Sequence, residues 1–222
     1  MRYPCLVLDH DDTVVDSTAT VHYPCFVEYC GVYHPEVRYT LDEYIRYNFE
    51  PGIVEFFGGM IGMSREEMER EQRYWNAYVK RHVPHTYGGM RELLLRHRAL
   101  GGKLCVVSHS YTENILRDYR KNGLPEPDLV FGWDSPAHER KPNPYPLEQI
   151  MKRLGLAREA LLVLDDLKPG YDMAKSCGVS FAAAGWAYDI PEIEGFMRAN
   201  CDKYFKTVAE LSGFLFGEEK WK

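Results

Sequence analysis

Four apolar residues, Cys5-Leu6-Val7-Leu8, run without alternation and give way at once to Asp9-His10-Asp11-Asp12-Thr13. A continuous apolar run bounded by polar residues predicts a strand buried on both faces, the kind found in parallel sheets. Runs of the same character recur at 103–107, 128–131, 161–164 and 179–184. Helical segments lie between them. One spans 90–100 and ends at Gly101-Gly102. A second opens with Ser110 and Glu113 in a capping box and closes at Gly123. A third starts with Asn143 as N-cap and Pro144 at the first helical position, and stops near Gly155. A fourth runs through 172–177 and stops at Gly178. Strands alternating with helices predict an α/β fold with a doubly wound parallel sheet, Rossmann-like in layout.

The stretch 17–85 breaks this rhythm. It is rich in Tyr, His and Arg and carries two capping boxes, Thr40 with Glu43 and Ser64 with Glu67. Met63 and Met68 stand where a hydrophobic staple would sit, and Met68, Trp75, Tyr78, Val79 and His82 follow helical spacing. Three or four helices and no strand are expected here, with the aromatic stripe serving packing. The predicted organisation is a core from 1–16 and 86–222, interrupted by a helical insertion over 17–85. In an open α/β sheet, an insertion after the first strand belongs at the strands' carboxyl ends, where a lid would act.

Composition narrows the partners more than the fold. The chain has 222 residues, 45% of them apolar, which is ample for a core, and a net charge of −6. Without a dense Lys/Arg run, a nucleic-acid surface is not expected. No apolar run approaches the ~18 residues of a membrane span, and the acidic turn by residue 9 argues against a signal peptide of ordinary form. The six cysteines include no Cys-x-x-Cys pair, so reduced thiols in a cytoplasmic protein are the expectation. A monomer or weak dimer is expected.

The chemistry sits where three apolar strands end: Asp9 to Thr13, Ser108 to Ser110, and Asp165-Asp166. If those strands are neighbours, Asp9, Asp11, Asp165 and Asp166 form an all-oxygen site suited to Mg²⁺ rather than zinc. Carboxylates this close repel one another, so a bound cation or shifted pKa values are expected. Ser108 adds a hydroxyl and Lys141 a positive charge. Together these are the parts needed to grip a phosphoryl group and stabilise its transfer. Each part alone has a plainer explanation: Ser108 as a cap, Lys141 as a solvated charge, Asp165-Asp166 as a turn.

The order of these clusters resembles the haloacid dehalogenase superfamily. Its Asp-x-Asp after the first strand is matched by Asp9-His10-Asp11, with Thr13 two further on. Its Ser or Thr after an apolar strand is matched by Val106-Val107-Ser108, and its Lys-Pro-x-Pro by Lys141-Pro142-Asn143-Pro144. Its closing acidic pair is matched by Asp165-Asp166. Gly170 and Gly178 are spaced as in the phosphoglycolate phosphatase and β-phosphoglucomutase branches, which carry a helical cap. Asp12 departs from the family's usual Gly and could tune the metal or face away. His109 stands where a small residue or Asn is common, and could reach phosphate or substrate. His10 is expected to point away from Asp9.

The resemblance implies a Mg²⁺-dependent phosphatase of a small phosphorylated metabolite. In it Asp9 attacks phosphorus, Asp11 protonates the leaving oxygen and then activates water, and Thr13, Ser108, His109 and Lys141 bind phosphate or substrate. The metal is held by Asp9, the carbonyl of Asp11 and Asp166, with Asp165 a direct or outer partner. A phosphomutase shares every core residue, and a phosphate-binding protein without turnover is the remaining alternative. A dehalogenase needs neither Asp11 nor the metal. A phosphonatase needs a cap Lys, and Lys80 is the one Lys between residues 14 and 102. A response-regulator receiver is far shorter and orders its acids differently.

Overall fold

The structure is a computed structural model that describes residues 1–217. In chain order it runs β1 (Cys5–Leu8), a π-helical turn (Thr18–His22), α1 (Tyr23–Tyr33), α2 (Leu41–Phe49), α3 (Ile53–Glu55), a second π-helical turn (Phe56–Met60) and α4 (Arg65–Val79). It continues with α5 (Met90–Ala99), β2 (Lys103–Val107), α6 (Thr112–Lys121), β3 (Leu129–Phe131), α7 (Tyr145–Leu154) and β4 (Leu161–Asp165). It ends with α8 (Lys168–Cys177), β5 (Ser180–Ala184), α9 (Pro191–Asn200), β6 (Lys203–Phe205) and α10 (Val208–Phe216). Two compact units result: one from Met1–Val15 and the chain from His85 onward, the other Asp16–Pro84.

The larger unit is a six-stranded parallel sheet in the order β3-β2-β1-β4-β5-β6. Parallel strands need crossovers, and the helices that supply them cover the sheet, which is why every residue of β1 is buried. Leu6 and Leu8 pack with Leu104, Val106, Leu162 and Leu164, and with Met90, Leu94, Ile115 and Leu211 from the covering helices. Cys5 and Cys105 are fully buried and behave there as small hydrophobes. The predicted strands are all present, and the doubly wound expectation holds. Beyond residue 184 no element was expected, yet α9, β6 and α10 follow.

Two helix starts differ from expectation. α6 begins at Thr112 rather than after Ser110, because the Ser110 hydroxyl is used elsewhere; the Thr112 N–H donates to Asp134 Oδ1 at 2.8 Å. α7 begins at Tyr145, after Pro144, and Asn143 instead donates its amide to the carbonyls of Arg140 (3.0 Å) and Ala137 (3.3 Å).

The smaller unit is helical throughout. Both expected capping boxes are formed, with Thr40 and Ser64 each accepting from the backbone N–H three residues on. Its core is aromatic: Phe26, Tyr29, Tyr44, Phe56 and Phe57 cluster with Cys30 and Met63, and Met68 packs against them. One charge is buried in this unit. Burial pushes the Glu71 carboxyl on α4 up to about 7, with His22 opposing. A carboxyl raised in the folded state favours folding below its unfolded pKa, and that contribution is lost as pH rises through about 7. Glu71→Gln is therefore expected to stabilise the protein by about 2–3 kcal/mol at pH 8 and to change little near pH 4. Thermal melts at the two pH values read this directly, and an equal effect at both would refute it.

Candidate active site

Strand register brings the polar clusters together. Leu8 pairs with Val106 on one side and Leu164 on the other, so Asp9 stands level with Val107 and Asp165. The Asp9 N–H donates to the Leu164 carbonyl at 2.8 Å, and the Ser108 N–H donates to the Phe131 carbonyl at 3.0 Å. These bonds end β1 and β2 at their carboxyl edge, where open α/β sheets place their ligands.

Lys141 is the centre of the cluster. The residue is only 5% exposed, and its ammonium donates at 2.7 Å to both Asp9 Oδ1 and Asp165 Oδ2. Burial alone would lower its pKa, but Asp165 and Asp9 raise it above the ordinary lysine value, so Lys141 carries a fixed positive charge. The Asp9 carboxyl is pushed up to about 7, by burial first, then by Asp165 and Asp11, with Lys141 opposing. Asp166 is raised well above the carboxylate range, by burial first and then by Asp12, Asp165 and Asp9. Leu167 N–H donates to Asp165 Oδ1 at 2.8 Å, which fixes the second oxygen of that acid. Gly170 on α8 leaves the space Asp165 occupies: a Cβ there would lie 2.0 Å from Asp165 Oδ2.

Asp11 is half-buried, and its Oδ2 accepts from Ser110 Oγ at 2.6 Å and from Ser108 Oγ at 3.3 Å. The Ser110 N–H donates to Ser108 Oγ at 3.1 Å. Ser110 is thus part of this site, and its resemblance to a helix cap hid that in the sequence. His109 donates through Nε2 to the Lys141 carbonyl at 3.0 Å and meets the Trp133 ring edge-on. Burial and the neighbouring Lys141 push the imidazole down to about 4, so it is neutral at physiological pH.

The remaining loop residues have clear places. Thr13 Oγ1 donates to Asp166 Oδ1 at 3.1 Å. His10 is buried and turned to α6, where Nε2 donates to Asp118 Oδ2 at 3.1 Å. Asp12 sits at φ 57°, the left-handed conformation that favours Gly, and its charge acts on Asp166. Two residues missing from the sequence-based site also reach it: Trp186 Nε1–H donates to the Thr13 carbonyl, and the Tyr188 hydroxyl donates to Asp166. They follow β5, beyond the last expected element. Lys80 lies exposed at the end of α4, in the helical unit.

The model of the haloacid dehalogenase-like hydrolase family matches residues 6–184. The chain belongs to this family. It is 25% identical over 188 residues to the pyrophosphatase PpaX of Halalkalibacterium halodurans, covering 84% of this chain and 86% of that protein. Among solved structures, a haloacid dehalogenase-like hydrolase of Bacteroides fragilis matches with TM-score 0.79 at 22% identity, over 94% of this chain and 99% of the other. CbbY of Rhodobacter sphaeroides, solved in complex with phosphate, matches with TM-score 0.74 at 19% identity, over 94% and 96%. These likenesses support the fold; the family membership rests on the match across 6–184.

As a member of this hydrolase family, the chain has a donor set fit for a metal ion. Asp9, Asp165 and Asp166 are buried, and each offers an oxygen within 4.8 Å of the others. An all-carboxylate set suits a hard divalent cation. A cation would also offset the repulsion that raises Asp9 and Asp166. Among the described residues, no helix is long and apolar enough to cross a membrane.

Proposed function

We propose that this hydrolase is a Mg²⁺-dependent phosphatase that cleaves a small phosphorylated metabolite through an aspartyl phosphate on Asp9. The observation that carries the reading is the Lys141 ammonium held at 2.7 Å by both Asp9 and Asp165, with Ser108 beside them at the end of β2. That arrangement keeps a positive charge at the nucleophile, where the equatorial phosphoryl oxygens would gather.

In the first step an Asp9 oxygen forms a bond to phosphorus and the substrate's P–O bond breaks. Asp11 gives its proton to the departing oxygen. In the second, Asp11 as carboxylate takes a proton from water, whose oxygen bonds to phosphorus while the Asp9–phosphorus linkage breaks and phosphate leaves. Asp11 suits this double role because it is half-buried, while the Ser108 and Ser110 hydroxyls orient one of its oxygens. Ser108, Lys141 and Thr13 contact or frame the transferred group. His109, neutral and bonded to the Lys141 carbonyl, stands beside it. Asp9, the Asp11 carbonyl and Asp166 would hold Mg²⁺, with Asp165 a direct or outer partner. The ion would supply positive charge to the phosphoryl oxygens.

The helical unit Asp16–Pro84 is read as the cap that selects the substrate, the role its counterpart has in the resembling branches. The PpaX relative brings inorganic pyrophosphate into the candidate set beside phosphorylated sugars and acids. The test is a phosphate-release screen over pyrophosphate and a panel of phosphorylated metabolites, with Mg²⁺ and with excess chelator. Release on at least one compound, falling by at least about 10²-fold on chelation, is expected. Full activity in chelator would exclude the metal, and interconversion of a sugar phosphate without phosphate release would make the protein a mutase.

A further inference from the structure

The loop after β5 ties two acid-bearing strand ends together. Trp186 Nε1–H donates to the Thr13 carbonyl at 3.2 Å, and Thr13 Oγ1 donates to Asp166 Oδ1 at 3.1 Å. Two residues past Trp186, the Tyr188 hydroxyl lies 2.8 Å from the Asp166 carbonyl and 3.1 Å from Asp166 Oδ2. Thr13 thus donates to one carboxylate oxygen of Asp166, and the single Tyr188 hydroxyl proton is shared between the other carboxylate oxygen and the Asp166 carbonyl.

The loop itself is fixed at its root. The Gly185 N–H donates to the Phe205 carbonyl at 2.8 Å, and a Cβ at Gly185 would lie 2.2 Å from the Tyr204 ring. Gly185 thus lets the chain pass tightly against β6 before it turns toward Asp166. A tyrosine has only two side-chain torsions before its rigid ring, so a hydroxyl hung from a fixed loop makes a stiff strut.

We propose that Tyr188, seconded by Trp186, is a positioning residue that holds the Asp166 carboxylate in the orientation in which it binds the divalent cation. The inference rests on the reading of Asp166 as a metal ligand given above. A carboxylate free to turn about its last torsion must be ordered when the ion arrives. One already held by Thr13 and Tyr188 has lost that freedom on folding. Outer partners of metal ligands act in this way, and their loss typically weakens metal affinity by about 10–100-fold.

Tyr188→Phe removes the hydroxyl and keeps the ring. Calorimetric titration of the whole protein with Mg²⁺ is expected to show a dissociation constant raised by about 10–100-fold. The Mg²⁺ concentration for half-maximal phosphate release should rise in step, while kcat at saturating Mg²⁺ recovers. Trp186→Phe, which frees the Thr13 carbonyl, should weaken binding in the same direction by less; it carries the test if Tyr188→Phe does not fold by circular dichroism. An unchanged dissociation constant in the folded variants would overturn the proposal, as would a loss of kcat that added Mg²⁺ does not restore. If the wild-type protein itself takes up no Mg²⁺, the reading of Asp166 as a ligand falls and this proposal falls with it. That outcome is distinguishable because it appears before any variant is made.

Discussion

Asp9→Asn is expected to stop turnover while making the protein harder to melt. An amide has no charge with which to attack phosphorus, and losing a nucleophile outright costs at least about 10⁴-fold in kcat. The stability gain follows from the site's own electrostatics. Burial, then Asp165 and Asp11, push the Asp9 carboxyl up to about 7 even against Lys141. A carboxyl raised in this way favours folding when protonated, and that contribution is lost as pH rises from its unfolded value near 4 through about 7. At pH 8 in chelator the wild type carries the full penalty and the Asn variant does not. A melting temperature several degrees higher is expected there, with the gap closing as pH falls toward 4. Phosphate release and thermal melts on the same preparation check both halves. Retention of most activity would favour direct attack by water over a covalent intermediate.

Asp11→Ala is expected to split substrates by their leaving groups. An alkyl oxygen departs badly as an alkoxide, and an acid placed to protonate it is worth about 10²–10⁴-fold. A nitrophenolate needs no such help. The variant should therefore lose far more of the attack step on an alkyl phosphate than on nitrophenyl phosphate. In the proposed mechanism Asp11 is also the base of the second step, so the phosphorylated enzyme should accumulate with the activated ester. Rapid quench with mass spectrometry would detect it, together with an initial burst of nitrophenol. The Ser108 and Ser110 hydroxyls lose their acceptor in this variant, so Asp11→Asn is the companion that keeps one. Equal losses on both esters, with no burst, would take Asp11 out of the acid–base role.

The parts of the site that were legible share one property: each follows an unbroken apolar run. Asp9, Ser108 and Asp165 were found because two-faced burial leaves a signal in the residues themselves. What brings them together is strand order, and a parallel sheet hides its order in crossovers of dozens of residues. The Lys141 contact to Asp9 spans 132 positions and has no local trace beyond the family's Lys-Pro-x-Pro. Ser110 was misread because a hydroxyl three residues before a Glu looks the same whether it caps a helix or bonds Asp11. His10 gave no sign of its partner, since Asp118 lies 108 positions away on α6. Trp186 and Tyr188 were missed for another reason. They sit in the loop between β5 and α9, and the next strand, β6, has only three residues, too short to show a period. Their bonds depend on where a loop turns, which side-chain chemistry alone does not specify.

The space that Gly170 leaves to Asp165 ties the two positions together. A methyl group at 170 would stand 2.0 Å from Asp165 Oδ2, so a side chain there displaces the acid that shares Lys141 with Asp9. A substitution at 170 is therefore expected to reach the Lys141 ion pairs through Asp165, from a helix rather than from a strand end.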